Sequence, residues 1–349
     1  MANIDRQRTT FHQVLEALLD ETHPFPPMFL HRFSDLDPKN LKALKDIWDQ
    51  IPVTRRRSLL EDLEETAEVD TLVSFEEVGR HALNDPDAQV RTTAIRLLWE
   101  VEVRHLVPVF IKMLNSDPDS QVRAAAASAL GLFIYLGEIE EIPEETLKAV
   151  ENELIRVVQS EELPLVRRRA LEALGFSSRE EVPVLIQDAY EQGNQDWLAT
   201  ALYAMGRSAD NRWSDPVLKM FTHVEASVRE EAVRAAGELE LVAARDRLID
   251  LLPEEPDEDV QMAAVWSLSQ IGGEGVRGLL ERLLEESDDD EIADFIENAL
   301  DNLTFTEDMQ GFDMIDIDAD LDEEDAPPKP ADTPPQPSQK KRGSRKTGK

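Results

Sequence analysis

Seven positions, Val90, Val122, Val166, Trp197, Val228, Val260 and Ile292, recur at steps of 32, 44, 31, 31, 32 and 32 residues. Four residues after each stand Ala94, Ala126, Ala170, Ala201, Ala232, Ala264 and Ile296. Eight after stand Leu98, Leu130, Leu174, Met205, Ala236, Leu268 and Leu300. Spacings of four and eight put all three positions on one helical face. A fixed period of this size means one supersecondary unit stacked many times, each covering its neighbour's apolar face. An all-α solenoid is expected, and function is expected on surface positions that no catalytic motif marks.

Each unit opens with a turn such as N-D-P-D-A-Q-V-R (84–91) or S-D-P-D-S-Q-V-R (116–123). The aspartate before proline is expected to cap the helix, with proline in its first turn. Offset 5 from the anchor reads Ile95, Ala127, Leu171, Leu202, Val233 and Val265, completing an apolar stripe. Alanine at offset 4 allows close helix approach. A companion helix in each unit carries Pro108, Pro183 or Pro216, then Leu248 and Leu251, then Leu279, Leu280, Leu283 and Leu284. Gly131, Gly175, Gly206 and Gly237 at offset 9 mark the end of the anchor helix or the turn after it. The 44-residue step holds extra residues near Phe133 to Glu145, read as a loop around Ile139 to Pro143.

Residues 1–83 read as a helical cap with degenerate repeats, 84–303 as the regular array and 304–349 as a disordered tail. In the first part, Phe11, Val14, Leu15, Leu18 and Leu19 share a helical face. Asp37 and Pro38 start a helix to about Gln50 with Leu41, Leu44, Ile47 and Trp48 on its apolar side, Pro52 opens another, and a further helix covers roughly 72–83. The tail alternates Phe305, Met309, Phe312, Met314, Ile315, Ile317 and Leu321 with acids, then turns Pro-rich from Pro327 to Pro337 and ends in lysines and arginines.

Net charge is -36, and it resides in the body: residues 305–349 hold 11 acidic and 7 basic residues, whereas residues 1–304 hold 62 and 30. That field repels nucleic acid and anionic lipid and favours a protein or peptide partner, a basic one on bulk charge. The absence of cysteine excludes disulfides and thiolate chemistry. No apolar run approaches the ~20 residues of a membrane span, and a cytoplasmic protein is expected.

The D-P-x-x-V-R turns resemble the short HEAT repeats of phycobilisome-lyase-like proteins, closely over 84–303 and weakly over 35–83. The resemblance implies a right-handed α/α superhelix of HEAT/armadillo type, with the V-R helix on the concave side. It also implies a ladder between the turn aspartate and the arginine after the valine. Arg91, Arg123, Arg167 and Arg229 hold that arginine position, and Leu198 and Gln261 replace it, so the ladder is expected to lapse there.

Enzymes of similar fold set the alternative. Deoxyhypusine hydroxylase binds iron through His-Glu pairs, but His12, His23, His31, His81, His105 and His223 are never followed by Glu. No residue marks bilin handling; an enzyme or enzyme accessory factor of the bilin-lyase or deoxyhypusine-hydroxylase kind is the runner-up. An alkylpurine glycosylase needs a basic groove that this charge opposes. Asp316, Asp318 and Asp320 imitate a calcium loop but lack its later glycine and glutamate. The chain is read as a non-enzymatic scaffold or adaptor with no metal or cofactor. Its binding residues are expected on the exposed offsets: Arg96, Glu172, Tyr203, Arg234, Met262 and Trp266, centred on the last four. For Trp266 the alternative is packing against the neighbouring helix pair.

Overall fold

The computed structural model describes residues 10–313 apart from Glu100 and Glu102. Among them there is no strand, and no helix is long and apolar enough to cross a membrane. One compact unit runs to Glu307, and a second begins at Asp308. The helices are α1 (Phe11–Leu19), α2 (Pro38–Ile47), α3 (Val53–Val69), α4 (Glu76–Ala82), α5 (Ala88–Leu97), α6 (Leu106–Ser116), α7 (Ser120–Glu138), α8 (Glu144–Val158) and α9 (Pro164–Ala173). They continue with α10 (Val182–Glu191), α11 (Gln195–Arg207), α12 (Ser214–Lys219), α13 (Ala226–Glu238), α14 (Arg245–Leu251), α15 (Glu258–Ile271), α16 (Val276–Glu286) and α17 (Asp290–Asp313).

The odd-numbered helices from α3 to α15 pack on one another in chain order and form an inner layer. From α4 to α14 each even-numbered helix packs against the odd helix that follows it, as an outer layer, and α16 packs against α15. The fold is therefore an all-α solenoid of helical hairpins. The anchors Val90, Val122, Val166, Val228 and Val260 are fully buried, and Trp197 is nearly so. Ile292 departs from the series: it is exposed in the first turn of α17, while Ile296, Ala299 and Leu303 carry the buried face. In the first part, Asp37 caps α2 through Lys39 and Asn40, and Pro38 occupies its first turn. α2 ends at Ile47, and a 3-10 turn carries the chain to Gln50.

The repeating turn works differently from the expectation. The second aspartate is the cap: Asp87 accepts from the Val90 amide, Asp119 from Gln121 and Val122, and Asp257 from Val260. Pro86 and Pro118 lie before the helix. The first acid holds the turn instead. Asp85 and Asp117 accept from the amide two residues on, at 2.8 and 3.0 Å, and Glu255 does the same at 3.1 Å. Its remaining carboxylate capacity faces the preceding unit, where the ladder arginine waits.

The glycines at offset 9 have a specific cause. A Cβ on Gly131 would stand 3.3 Å from Ala173 Cα, on Gly206 3.0 Å from Ala235 Cα, and on Gly237 2.8 Å from Ser267 Cα. Each glycine thus admits the offset-7 residue of the next inner helix, a contact that a methyl group would push apart. Gly131, Gly206 and Gly237 lie inside helices, and Gly175 lies in a 3-10 turn.

The loop expected at Ile139 to Pro143 is present, and the other extra residues after Gly131 lengthen α7 and α8 on either side of it. One expectation needs correction. Residues 304–313, read as tail, continue α17, although Phe305 and Met309 on it are exposed. The rest of the tail, with Asp316, Asp318, Asp320, the proline-rich stretch and the basic end, lies outside the described residues.

Candidate protein-binding groove

A ladder of arginines stitches the inner turns. Arg91 donates to Asp117 through Nε and Nη2, both at 2.8 Å, while its Nη1 donates to the Asp85 carbonyl of its own turn. Arg123 repeats this with Glu162 at 3.0 Å, and Arg229 with Glu255 at 2.8 and 2.6 Å. The N-terminal unit continues it: Arg56 pairs with the fully buried carboxylate of Asp85 at 2.9 Å, and Trp48 Nε1 donates to the same group. Fork-to-carboxylate pairs fix geometry as well as contributing energy. The side-chain hydrogen bond from arginine holds Glu162 and Glu255 below the usual carboxylate range.

The ladder lapses one unit earlier than expected. Arg167 occupies the ladder position, but the next turn offers Gln192 where the turns before Val90, Val122 and Val260 offer Asp85, Asp117 and Glu255. Its guanidinium lies over the Trp197 ring, 5.4 Å from the centroid, and its Nε donates to the Val158 carbonyl. Leu198 then replaces the next arginine and is buried. Gln261 keeps half of the pattern, donating to the Glu255 carbonyl at 2.6 Å.

Across this stretch the inner helices line a recess of about 310 Å³. Ala124, Ala125 and Ser128 of α7 and Leu165 of α9 give it a small, partly apolar floor. Trp99, 42% exposed, and Tyr203 stand on its walls, and Arg96, Arg169 and Arg207 supply cations against the single carboxylate of Glu172. Arg96 is held by Glu64 of α3 at 2.6 and 2.7 Å. Arg169 pairs with Glu172 at 2.5 Å, and Glu172 also accepts from Thr200 of α11. Arg207 lies over two rings, 4.3 Å from the Tyr203 centroid and 4.7 Å from that of Phe176. Tyr135 packs against the same Phe176 at 5.3 Å. Burial pushes the Tyr203 phenol above its ordinary value, with Arg207 opposing.

The expected site residues divide. Arg96, Glu172 and Tyr203 share this recess. Arg234, Met262 and Trp266, expected beside Tyr203, lie outside it. Arg234 is exposed and paired with Glu230 one turn away at 2.7 Å. Met262 faces a separate hollow with Leu283 and Ile292. Trp266 is 38% exposed and rests against Phe295 of α17, ring centroids 6.2 Å apart. Among the flanking offsets, Thr93, Ala124, Thr200 and Ala263 are buried between inner helices. Trp99, Phe176 and Arg207, at offsets 9 and 10, were not anticipated. Offsets 3, 6 or 7 and 10 share a helical face, so counting one turn further would have reached Arg207.

Beyond the recess α13 is acidic. Glu231 is pushed up to about 7, first by burial and then by Glu230, Glu172 and Glu238, with Arg234 pulling it down. Glu238 is raised by burial. Among the described residues no group of three or more His, Asp or Glu side chains is placed to hold a metal ion.

A model of HEAT repeats matches residues 78–151 and 214–301. Solved structures similar to the chain include the complex of CpcE and CpcF of phycocyanin lyase from Nostoc sp. PCC7120, at 19% identity over 81% of this chain and 97% of that one, TM-score 0.48. Human deoxyhypusine hydroxylase aligns at 17% identity over 76% and 96%, TM-score 0.33. The Kap95:Nup1 complex aligns at 14% over 83% and 41%, TM-score 0.36. No curated protein matches the chain.

Proposed function

We propose that this chain, a HEAT-repeat helical protein, is a non-enzymatic scaffold that binds a protein or peptide segment along its inner helices. The observation that carries the reading is the recess spanning α5 to α11, where Trp99, Tyr203 and three arginines surround a floor of small residues. Tryptophan, tyrosine and arginine dominate binding energy at protein interfaces, and a shaped floor gives them somewhere to seat a partner. The charges are already organised: Arg96 and Arg169 are tied by carboxylates and Arg207 by stacking. Little side-chain entropy is lost when a ligand arrives.

The test is affinity capture on the full chain, compared with Trp99→Ala/Tyr203→Ala. Losing two anchors of this type costs binding about 30-fold or more. The expected outcome is loss of the captured protein with an unchanged circular dichroism melt. Retention of the same partner by the folded double variant contradicts the reading.

A further inference from the structure

We infer that the recess takes a peptide segment presenting a single carboxylate beside an apolar side chain, and that Arg207 receives that carboxylate. The inference rests on the scaffold reading and adds the chemistry of the partner.

Arg207 differs from most arginines of the inner layer; Arg167 also lacks an acid, but it lies over the Trp197 ring and spends its Nε on the Val158 carbonyl. Arg56, Arg91, Arg96, Arg123, Arg169, Arg229 and Arg234 each have a carboxylate partner. Among the described residues, the Arg207 guanidinium lies over the Phe176 and Tyr203 rings and has no carboxylate at ion-pair distance. Stacking uses the faces of the guanidinium plane and leaves its N–H edges to donate. Those edges belong to a recess whose lining has three cations and one anion, within a body carrying 62 acids and 30 bases. A planar fork held flat by two rings is prepared for bidentate contact with a carboxylate. Glu238 is near enough to act on Arg207 through charge, but among the described residues it forms no ion pair or hydrogen bond with the guanidinium.

The surroundings narrow the ligand. Ala125 and Leu165, both partly exposed, offer apolar surface in the same recess, with Trp99 also lining it. A side chain that buries there leaves a neighbouring carboxylate at Arg207. The field of the whole body rejects a polyanion such as a nucleic acid, whereas one carboxylate is within the reach of a local cation at physiological salt. Basic residues flanking it are compatible with Glu230 and Glu231 further along.

The experiment is selection of a random-peptide library on the immobilised full chain, in parallel with Arg207→Gln and Arg207→Lys, each checked by thermal melting. The expected consensus has one Asp or Glu next to an apolar residue. The synthetic consensus peptide should bind about tenfold more tightly than its Asn or Gln isostere and lose about tenfold on Arg207→Gln. Arg207→Lys, which keeps charge without the stacked fork, should recover only part of that loss. A consensus without an acid that still requires Tyr203 overturns this inference and leaves the scaffold reading intact. Failure of the folded chain to select any peptide overturns both.

Discussion

Two junctions in the inner layer do the same structural work by different means. Between the units anchored at Val90 and Val122, Arg91 reaches the next turn and closes a bidentate pair with Asp117. Between those anchored at Val166 and Trp197, Arg167 finds no acid and lies over an indole. The first junction is specified by charge and hydrogen-bond geometry, the second by an aromatic surface. The recess lies across the units where this change happens, and it ends at Tyr203 and Arg207 in the Trp197 unit. The contrast teaches that the repeat is held by its buried anchors and the alanines four residues after them, which persist at both junctions. The ladder is an addition that can be exchanged for other contacts where the surface is put to use.

The sharpest way to break the comparison is to remove the acid at the charged junction. Asp117→Asn leaves the largely buried Arg91 without its anion and is expected to cost about 3 kcal/mol. Arg167→Gln at the aromatic junction is expected to cost about 1 kcal/mol or less. Urea titrations of the two variants should separate them clearly; equal losses would mean that the ladder is no stronger than the stacking that replaces it.

Next in size is the close approach at the glycines of the four middle units. Gly237→Ala puts a methyl group 2.8 Å from Ser267 Cα and is expected to destabilise by roughly 1–3 kcal/mol. Gly278→Ala, on α16, meets only the far end of Arg282 at 3.8 Å and should be neutral or gain about 0.5 kcal/mol from a stiffer unfolded chain. Melting curves that fail to distinguish these glycines would remove packing as the reason for offset 9.

The smallest effect concerns pH. Glu231 keeps its proton in the folded state up to about pH 7, whereas the unfolded chain releases it near 4.5. The folded state therefore binds more protons within that window, and stability falls as pH rises through it. Glu231→Gln mimics the protonated side chain. It should match the parent near pH 4 and exceed it by about 1–2 kcal/mol at pH 8, discounted for partial exposure from ~1.4 kcal/mol per pH unit. A stability difference that does not change between the two pH values contradicts the burial of this carboxylate.

The fold was legible because its determinants are periodic. Val90, Ala94 and Leu98 and their equivalents announce a buried stripe, and burial follows them through six of seven units. Legibility failed where one residue type serves two ends. Both aspartates of D-P-D can cap a helix, and only the structure shows that the first faces the preceding arginine while the second caps. The loop at Ile139 to Pro143 was legible, whereas the lengthening of α7 and α8 on either side of it was not. At the groove, Arg96, Glu172 and Tyr203 followed from periodicity. Arg234 and Trp266 share their offset but are claimed by Glu230 and Phe295, contacts set by which side chains happen to lie within reach. Arg207 escaped because its importance comes from Phe176 in the preceding unit, a neighbour in space that no single repeat records.

The central claim, that a partner lies against the inner helices, is tested most directly by site-specific crosslinking. A selected peptide carrying a photoreactive phenylalanine would be bound to the full chain, irradiated, and the adducts mapped by mass spectrometry. The account predicts adducts on α5, α7, α9 and α11, with Trp99, Ala125 and Tyr203 among the modified residues. Adducts confined to the outer helices α6, α8 and α10 would contradict it.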